Sequence, residues 1–268
     1  MPESGSPKID TMVPHVARVW DYFHGGKDNY DVDREVGDRT KALMPEVVML
    51  ARQSRAYLIR AVQFLAGQAG IDQFLDIGTG LPTADNTHEV AQRVNPAARI
   101  LYVDNDPLVL AHARALLTST PQGECHYIDA DLRDPDRILT QAEGFLDFGR
   151  PVGLMLMGIL EFIPDQAEAV AIVDALRERL APGSYIALYA TTNHVNGRRV
   201  DQAVALWNQQ APAPMTVRTI GQIEELLRGL RLVDPGLVPL HLWRPTHPLM
   251  IGEPVDAYAG VGIKPEHD

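Results

Sequence analysis

Apolar residues recur along this chain in two rhythms. Val47, Leu50, Ala51, Ser54, Tyr57, Leu58, Ala61, Val62 and Leu65 return every three or four residues, which predicts a long helix with one buried face, opened by Pro45 and left at Gly67 and Gly70. Before it, Met12 to His24 reads as a short helix stopped by Gly25-Gly26, and Asp31 or Asp33 can cap a second helix reaching Leu43. Beyond residue 70 the rhythm changes. Short apolar runs near 73–77, 99–104, 124–129, 152–158 and 184–190 alternate with helical segments near 84–94, 107–118, 134–142 and 165–181. Strands and helices in turn predict an α/β fold with right-handed crossovers and a mainly parallel sheet. Thr219 can cap a helix through Leu227, a strand follows over Leu230 to Val233, and Tyr258 to Ile263 alternates as a last strand. Residues 1–11 are polar and proline-punctuated and predict a disordered tail. Residues 191–216, with Ala211-Pro-Ala-Pro214, predict an insertion after the fifth strand.

With 268 residues and 46% hydrophobic content the chain can bury one large core. The pattern divides it into the tail, a helical cap over 12–70 and an α/β body over 71–268. A formal charge of −11 and a pI near 5.2 would repel phosphate backbones and anionic membranes, so neither nucleic acid nor membrane is expected as a partner. No run has the apolar length of a membrane span, and the first residues lack the basic and apolar regions of a signal peptide; the expected location is cytoplasmic. Cys125 is the single cysteine, which excludes an internal disulfide and a cysteine-based metal cage, and it reads as a small buried strand residue. His112, His126, His241 and His247 have no ligand spacing, so no metal site is expected. Composition leaves the oligomeric state open.

The chemistry gathers at strand ends. Phe74-Leu-Asp-Ile-Gly-Thr-Gly80 is an apolar strand running into two glycines, a turn that lets backbone approach a nucleotide-like ligand closely and hands it to a helix N-terminus. A second strand ends at Asp104-Asn-Asp-Pro107, where a ribose diol needs an acceptor. The third leads to Asp131-Leu132, an acid able to accept from an adenine amine, and the fourth ends uncharged at Gly158-Ile159.

This ordered series resembles the class I S-adenosylmethionine-dependent methyltransferases. Pro14-His-Val-Ala-Arg-Val-Trp-Asp-Tyr22, Gly25-Gly-Lys-Asp-Asn-Tyr-Asp-Val-Asp-Arg34, Asp76-Ile-Gly-Thr-Gly-Leu-Pro-Thr83 and Tyr102-Val-Asp-Asn-Asp-Pro107 are similar to an actinobacterial branch of that superfamily, from about Pro14 to the C-terminus. The resemblance implies a Rossmann-like, mainly parallel seven-stranded sheet with an antiparallel edge strand, a helical lid before it, and S-adenosylmethionine as cofactor. It also implies in-line transfer of a methyl group to an unidentified small-molecule acceptor. The turn departs from the common pattern, because Pro82 and Thr83 stand where a third glycine would in a methyltransferase and a dinucleotide motif respectively.

On that resemblance Gly78, Thr79 and Gly80 meet the methionyl end, Asp76 its ammonium, Asp104 the ribose with Asn105 beside it, and Asp131 with Leu132 the adenine. Gly158 and Ile159 bring backbone near the methionine portion. Tyr22 and Lys27, beside Gly25-Gly26, suit a lid or a solvated hairpin. Arg55 lies off the apolar stripe, either exposed or meeting the methionyl carboxylate. Glu161 and His194 are the candidate catalytic groups, as base or acceptor-orienting residues, facing acceptor-side residues 191–216; a loop carboxylate is the other reading of Glu161. A nicotinamide-dependent oxidoreductase and a non-catalytic S-adenosylmethionine-binding protein stay open as alternatives.

Overall fold

The computed structural model describes residues 9–82, 84–116, 119–211, 213–247 and 251–266. The short apolar runs form strands β1 (Gln73–Ile77), β2 (Arg99–Asp104), β3 (Glu124–Asp129), β4 (Gly153–Met157) and β5 (Tyr185–Thr191), all parallel. Being buried on both faces, β1 is apolar throughout except for Gln73 and Asp76. The sheet runs β3-β2-β1-β4-β5-β8-β6, with β8 (Ala257–Ile263) antiparallel to β5. Among the described residues the sheet has eight strands where seven were expected. The strand expected over 230–233 is β6 (Arg231–Leu232); it and a further short strand, β7 (Val238–Pro239), pair with successive parts of β8 on either side of a turn at Asp234-Pro235-Gly236, so β8, expected as the edge strand, has neighbours on both sides.

Helices α4 (Thr87–Val94), α5 (Pro107–Leu116), α6 (Pro135–Ala142), α7 (Gln166–Arg179) and α9 (Ile220–Leu226) begin where polar caps or prolines predict. Asp134 accepts from Arg137 N–H, Asp165 from Glu168 N–H and Thr219 from Gln222 N–H. One helix was not expected. α8 (Arg198–Gln210) lies inside the 191–216 segment, with Val200, Ala203 and Trp207 buried at helical spacing against Val36 and Phe162. Residues 117–118 of the expected 107–118 helix, and 1–8 of the expected tail, lie outside the described residues; Ile9 packs beside Leu108 and Val109, and the Asp10 carbonyl accepts from Arg18.

α1 (Val16–His24) and α2 (Asp31–Leu43) stand before α3 (Val47–Gly67), which lies directly on the sheet. Tyr57, fully buried on α3, donates to the carbonyls of Leu188 on β5 (3.1 Å) and Gly260 on β8 (2.9 Å) and stacks edge-on against Trp243 and Tyr189. Helix and sheet are thus registered by one hydroxyl. No helix among the described residues is long and apolar enough to cross a membrane. Tyr57→Phe should keep the ring packing but lose this bond, lowering unfolding free energy by about 1–2 kcal/mol in denaturant titrations; an unchanged midpoint would mean that the hydroxyl holds nothing.

Candidate functional site

The carboxyl ends of β1, β2 and β3 meet at one crevice, the place where an open parallel sheet leaves a gap between its connections. Gly78 and Gly80 turn the chain out of β1 with φ of 75° and 65°, and a Cβ on Gly78 would stand 2.4 Å from Ile159 Cγ1, so glycine is required there twice over. Gly80 N–H donates to Asp104 Oδ2 (2.9 Å) and Asp106 N–H to Asp104 Oδ1 (3.0 Å), locking the two strand exits together. Asp106 caps α5 through Leu108 N–H (2.8 Å), and the Thr79 and Tyr127 hydroxyls share a hydrogen bond. Asp131 accepts from the Asn105 amide (3.1 Å) and from Arg133 N–H (2.9 Å).

Asp76, Gly78, Thr79, Gly80, Asp104, Asn105, Asp131, Leu132, Gly158 and Ile159 all line a single cavity of about 240 Å³. The ten strand-end positions expected at a cofactor are therefore brought together. Burial dominates the electrostatics. It pushes the Asp76 carboxyl up to about 6, against the opposing Thr87 hydroxyl bond (2.5 Å) and the Arg55 charge, and it raises Asp104 against its two backbone donors.

Four of the expected residues do not line this cavity. Tyr22 sits two residues from both Trp20 and His24 on α1, hence on the opposite helix face, where it donates to Asp38 (2.6 Å) under the Lys41 ammonium. Lys27 is exposed in the α1–α2 turn. His194 is exposed with its ring edge-on to Tyr258. Glu161 is fully buried in the helical turn after β4, where Oε1 accepts from Thr191 N–H (2.8 Å) and the Thr191 hydroxyl, and Oε2 has no partner. Buried Arg218 lies on the far side of this joint, holding the Leu160 and Ile163 carbonyls, so Glu161 braces the β4 and β5 exits from within.

Other residues take their places. The α1 face of Val16, Ala17, Trp20 and His24 covers the cavity, and Arg55 enters it from α3 with Ser54 and Leu58. Arg55 is half-buried rather than exposed, and its guanidinium makes no hydrogen bond or ion pair with a described residue; burial lowers its pKa, while Asp76 opposes that shift. His24 likewise has no hydrogen-bond partner among the described residues. Burial, helped by the Arg55 charge, pushes it down to about 4, so its imidazole is neutral at pH 7. Tyr189 presses its hydroxyl against Gly158, where a Cβ would stand 2.4 Å from that oxygen. No cluster of three or more His, Cys, Asp or Glu side chains suited to a metal ion occurs among the described residues.

A family model described as S-adenosyl methyltransferase matches residues 2–265. The crystal structure of a DUF574 family protein from Streptomyces avermitilis is 41% identical and superposes with a TM-score of 0.92, covering 96% of this chain and 100% of that one. A crystal structure from Thermobifida fusca, provisionally described as a methyltransferase, is 39% identical with a TM-score of 0.86, covering 95% and 96%. Human N-acetylserotonin methyltransferase, solved with S-adenosylmethionine, is 15% identical with a TM-score of 0.50 over 88% of this chain and 58% of that one, a likeness of fold alone. No curated protein matches the chain.

The buried Glu161 has a consequence that needs no ligand. Burial lifts its carboxyl from 4.5 to about 7, against the Thr191 bonds and the Arg218 charge. An acid whose pKa is higher folded than unfolded contributes stability that is complete below pH 4.5 and is lost as pH rises through 7. Glu161→Gln should match the wild type at pH 4 and exceed it by roughly 2–3 kcal/mol at pH 8 in denaturant titrations. Parallel stability profiles for the two proteins across that range would rule this out.

Proposed function

Because the chain belongs to the S-adenosyl methyltransferase family, we propose that the cavity at the carboxyl edge of the sheet binds its cofactor, S-adenosylmethionine, and that the acceptor is a small molecule. The protein is an S-adenosylmethionine-dependent methyltransferase with a Rossmann-like α/β fold. One observation carries the assignment of the site: buried carboxylates Asp76 and Asp104 face the same cavity as Arg55, which has no hydrogen bond or ion pair with a described residue. A zwitterionic methionyl group attached to an adenosine suits that distribution of charge.

In this reading Asp104 accepts from the ribose hydroxyls, and Asn105 flanks the adenosine. Asp131 and the Leu132 backbone frame adenine. The turn Gly78-Thr79-Gly80 runs along the methionyl chain, with Asp76 toward its ammonium, Arg55 toward its carboxylate, and Gly158 and Ile159 as the opposite wall. Bound S-adenosylmethionine supplies a methyl group already activated by positive sulfur, so the residues need chiefly to position an acceptor and exclude water. α1 and α2, within the 12–70 cap, serve as the cover, through Trp20 and His24 rather than Tyr22 and Lys27. Glu161 and His194, off the cavity, have no part in the transfer step. The net charge of −11 supports an enzyme that acts on neither nucleic acid nor membrane, and the location proposed for it is cytoplasmic.

Calorimetry should find one molecule of S-adenosylhomocysteine bound per chain and no binding of NAD. Asp104→Asn, which keeps an oxygen for Gly80 N–H, should weaken that binding by about 1–3 kcal/mol with the far-ultraviolet dichroism unchanged. Arg55→Leu should weaken it by at least roughly tenfold, the scale of one charge-assisted bond. Wild-type affinity in both folded variants would move the cofactor elsewhere.

A further inference from the structure

The cofactor reading accounts for the cavity over β1, β2 and β3 as far as the Gly158-Ile159 wall but leaves the part beyond it, toward β5 and the α1 cover, without an occupant. That part is walled by Met157 and Ile159 at the β4 exit, by Phe162 beyond it, and by Trp20 and His24 on the α1 cover. Phe162 is held in place by Trp207 of α8 (6.3 Å between rings), and Trp20 by Phe23 (5.8 Å, edge-on). Two aromatic rings and two aliphatic side chains thus bound a space closed by one imidazole.

Charge is almost absent from it. Arg55, at the boundary of the two parts, is taken by the methionyl carboxylate in the reading above. Arg133, the other cation on the rim, is occupied by the Phe162 carbonyl (2.6 Å), Glu168 (3.5 Å) and Asp131 (3.7 Å). A phosphate or carboxylate brought here would lose its hydration with no free cation to meet it, and an ammonium group would face Arg55 without a carboxylate of its own. Of the other polar side chains lining it, the Tyr189 hydroxyl lies against Gly158 beside Ser54, and Ser54 donates to the Ala51 carbonyl, which leaves His24. Its ring touches Trp20 (6.4 Å between centroids) and forms no hydrogen bond with a described residue, and the charged group facing it from the neighbouring helix is Arg55. A neutral imidazole keeps one ring nitrogen as an acceptor.

We propose, building on the methyltransferase assignment, that the acceptor is an uncharged aromatic hydroxy compound seated between Trp20 and Phe162, with its hydroxyl donating a hydrogen bond to His24. The aromatic walls recognise the flat apolar body, and the absence of free charge rejects ionised analogues. A hydroxyl that donates its hydrogen to His24 turns an oxygen lone pair to the methyl carbon: the O–C bond forms as the C–S bond breaks, S-adenosylhomocysteine leaves, and the hydroxyl proton passes to the imidazole nitrogen. His24 therefore touches the acceptor and selects hydroxyl over ether.

Three probes of one ring system separate these claims: 2-naphthol, 2-methoxynaphthalene and 2-naphthoate, titrated by nuclear magnetic resonance into the full chain saturated with S-adenosylhomocysteine. The expected order is 2-naphthol tightest, 2-methoxynaphthalene at least fivefold weaker, and 2-naphthoate weakest. His24→Leu should abolish the preference of naphthol over its methyl ether, and His24→Gln, which restores an acceptor oxygen, should recover part of it. Trp20→Ala should weaken all three probes. Each variant is saturated with S-adenosylhomocysteine at a concentration set by its own calorimetric affinity for that ligand, so that the probe preferences are read apart from the cofactor assignment. Preferential binding of 2-naphthoate, or a naphthol preference that survives in His24→Leu, would overturn it while leaving the cofactor site standing. Loss of S-adenosylhomocysteine binding by the wild type would overturn the assignment beneath it.

Discussion

The carboxylate of Asp104 is the point from which the rest of the site is hung. Only 9% exposed, it accepts from Gly80 N–H with one oxygen and from Asp106 N–H with the other, so one side chain fixes both the β1 turn and the β2 exit. Hydrogen bonds to a buried charged group are each worth about 1.5–3 kcal/mol, more than a neutral contact of the same length. The chain of bonds continues outward. Asp106 Oδ2 stands 2.8 Å from His15 Nδ1 at the start of α1, and His15 N–H donates to fully buried Asp33 on α2 (2.8 Å). Asp33 also accepts from Tyr30 N–H (2.8 Å), which starts α2. The two N-terminal helices are therefore fastened to the edge of the sheet by carboxylates rather than by packing alone, and this is what holds Trp20 and His24 over β4 and β5.

Such a site is built around charge that its own residues leave uncompensated. Asp76 and Asp104 sit on adjacent parallel strands, Asp76 harder to ionise beside Asp104 and Asp104 beside Asp106, while half-buried Arg55 and His24 stand nearby with no hydrogen bond among the described residues. Every one of these groups is disfavoured in its charged form by burial. A ligand carrying an ammonium, a carboxylate and a diol would relieve most of that cost at once, since Asp76, Arg55 and Asp104 would each gain a partner without moving into water. The same logic separates Glu161 from the site. Its Oε1 is satisfied by Thr191 and its surroundings include Arg218, so it joins two strand exits as a structural brace.

How far the sequence discloses this arrangement follows from which residues lie at the end of a regular element. Asp76, Asp104 and Asp131 stand at or just beyond strand ends, and parallel strands deliver such positions to one edge, so linear order and spatial order agree. The α1 face was hidden because helical spacing marks a buried side without telling whether core or cavity lies beneath it. Val16, Trp20 and His24 carry the signal of core residues, and Tyr22, expected at the cofactor from its nearness to Gly25-Gly26, lies on the other face of α1 against Asp38. Glu161 was located correctly along the chain, yet the single helical turn after β4 rotates it inward to Thr191. Arg55 was a matter of one helical position: it neighbours the apolar stripe closely enough to be drawn under the cover by α1. The α8 helix had a readable Val200, Ala203, Trp207 spacing, outweighed by the prolines that follow it.

The central claim is that the β1 turn, Asp104 and Arg55 together hold one S-adenosyl ligand. Its most direct test is a crystal structure of the protein with S-adenosylhomocysteine. The account predicts ribose oxygens at hydrogen-bond distance, about 2.6–3.2 Å, from the Asp104 carboxylate, with the methionyl carboxylate on Arg55. Well-defined ligand lying away from Asp104, or a methionyl carboxylate directed from Arg55 toward solvent, would contradict it.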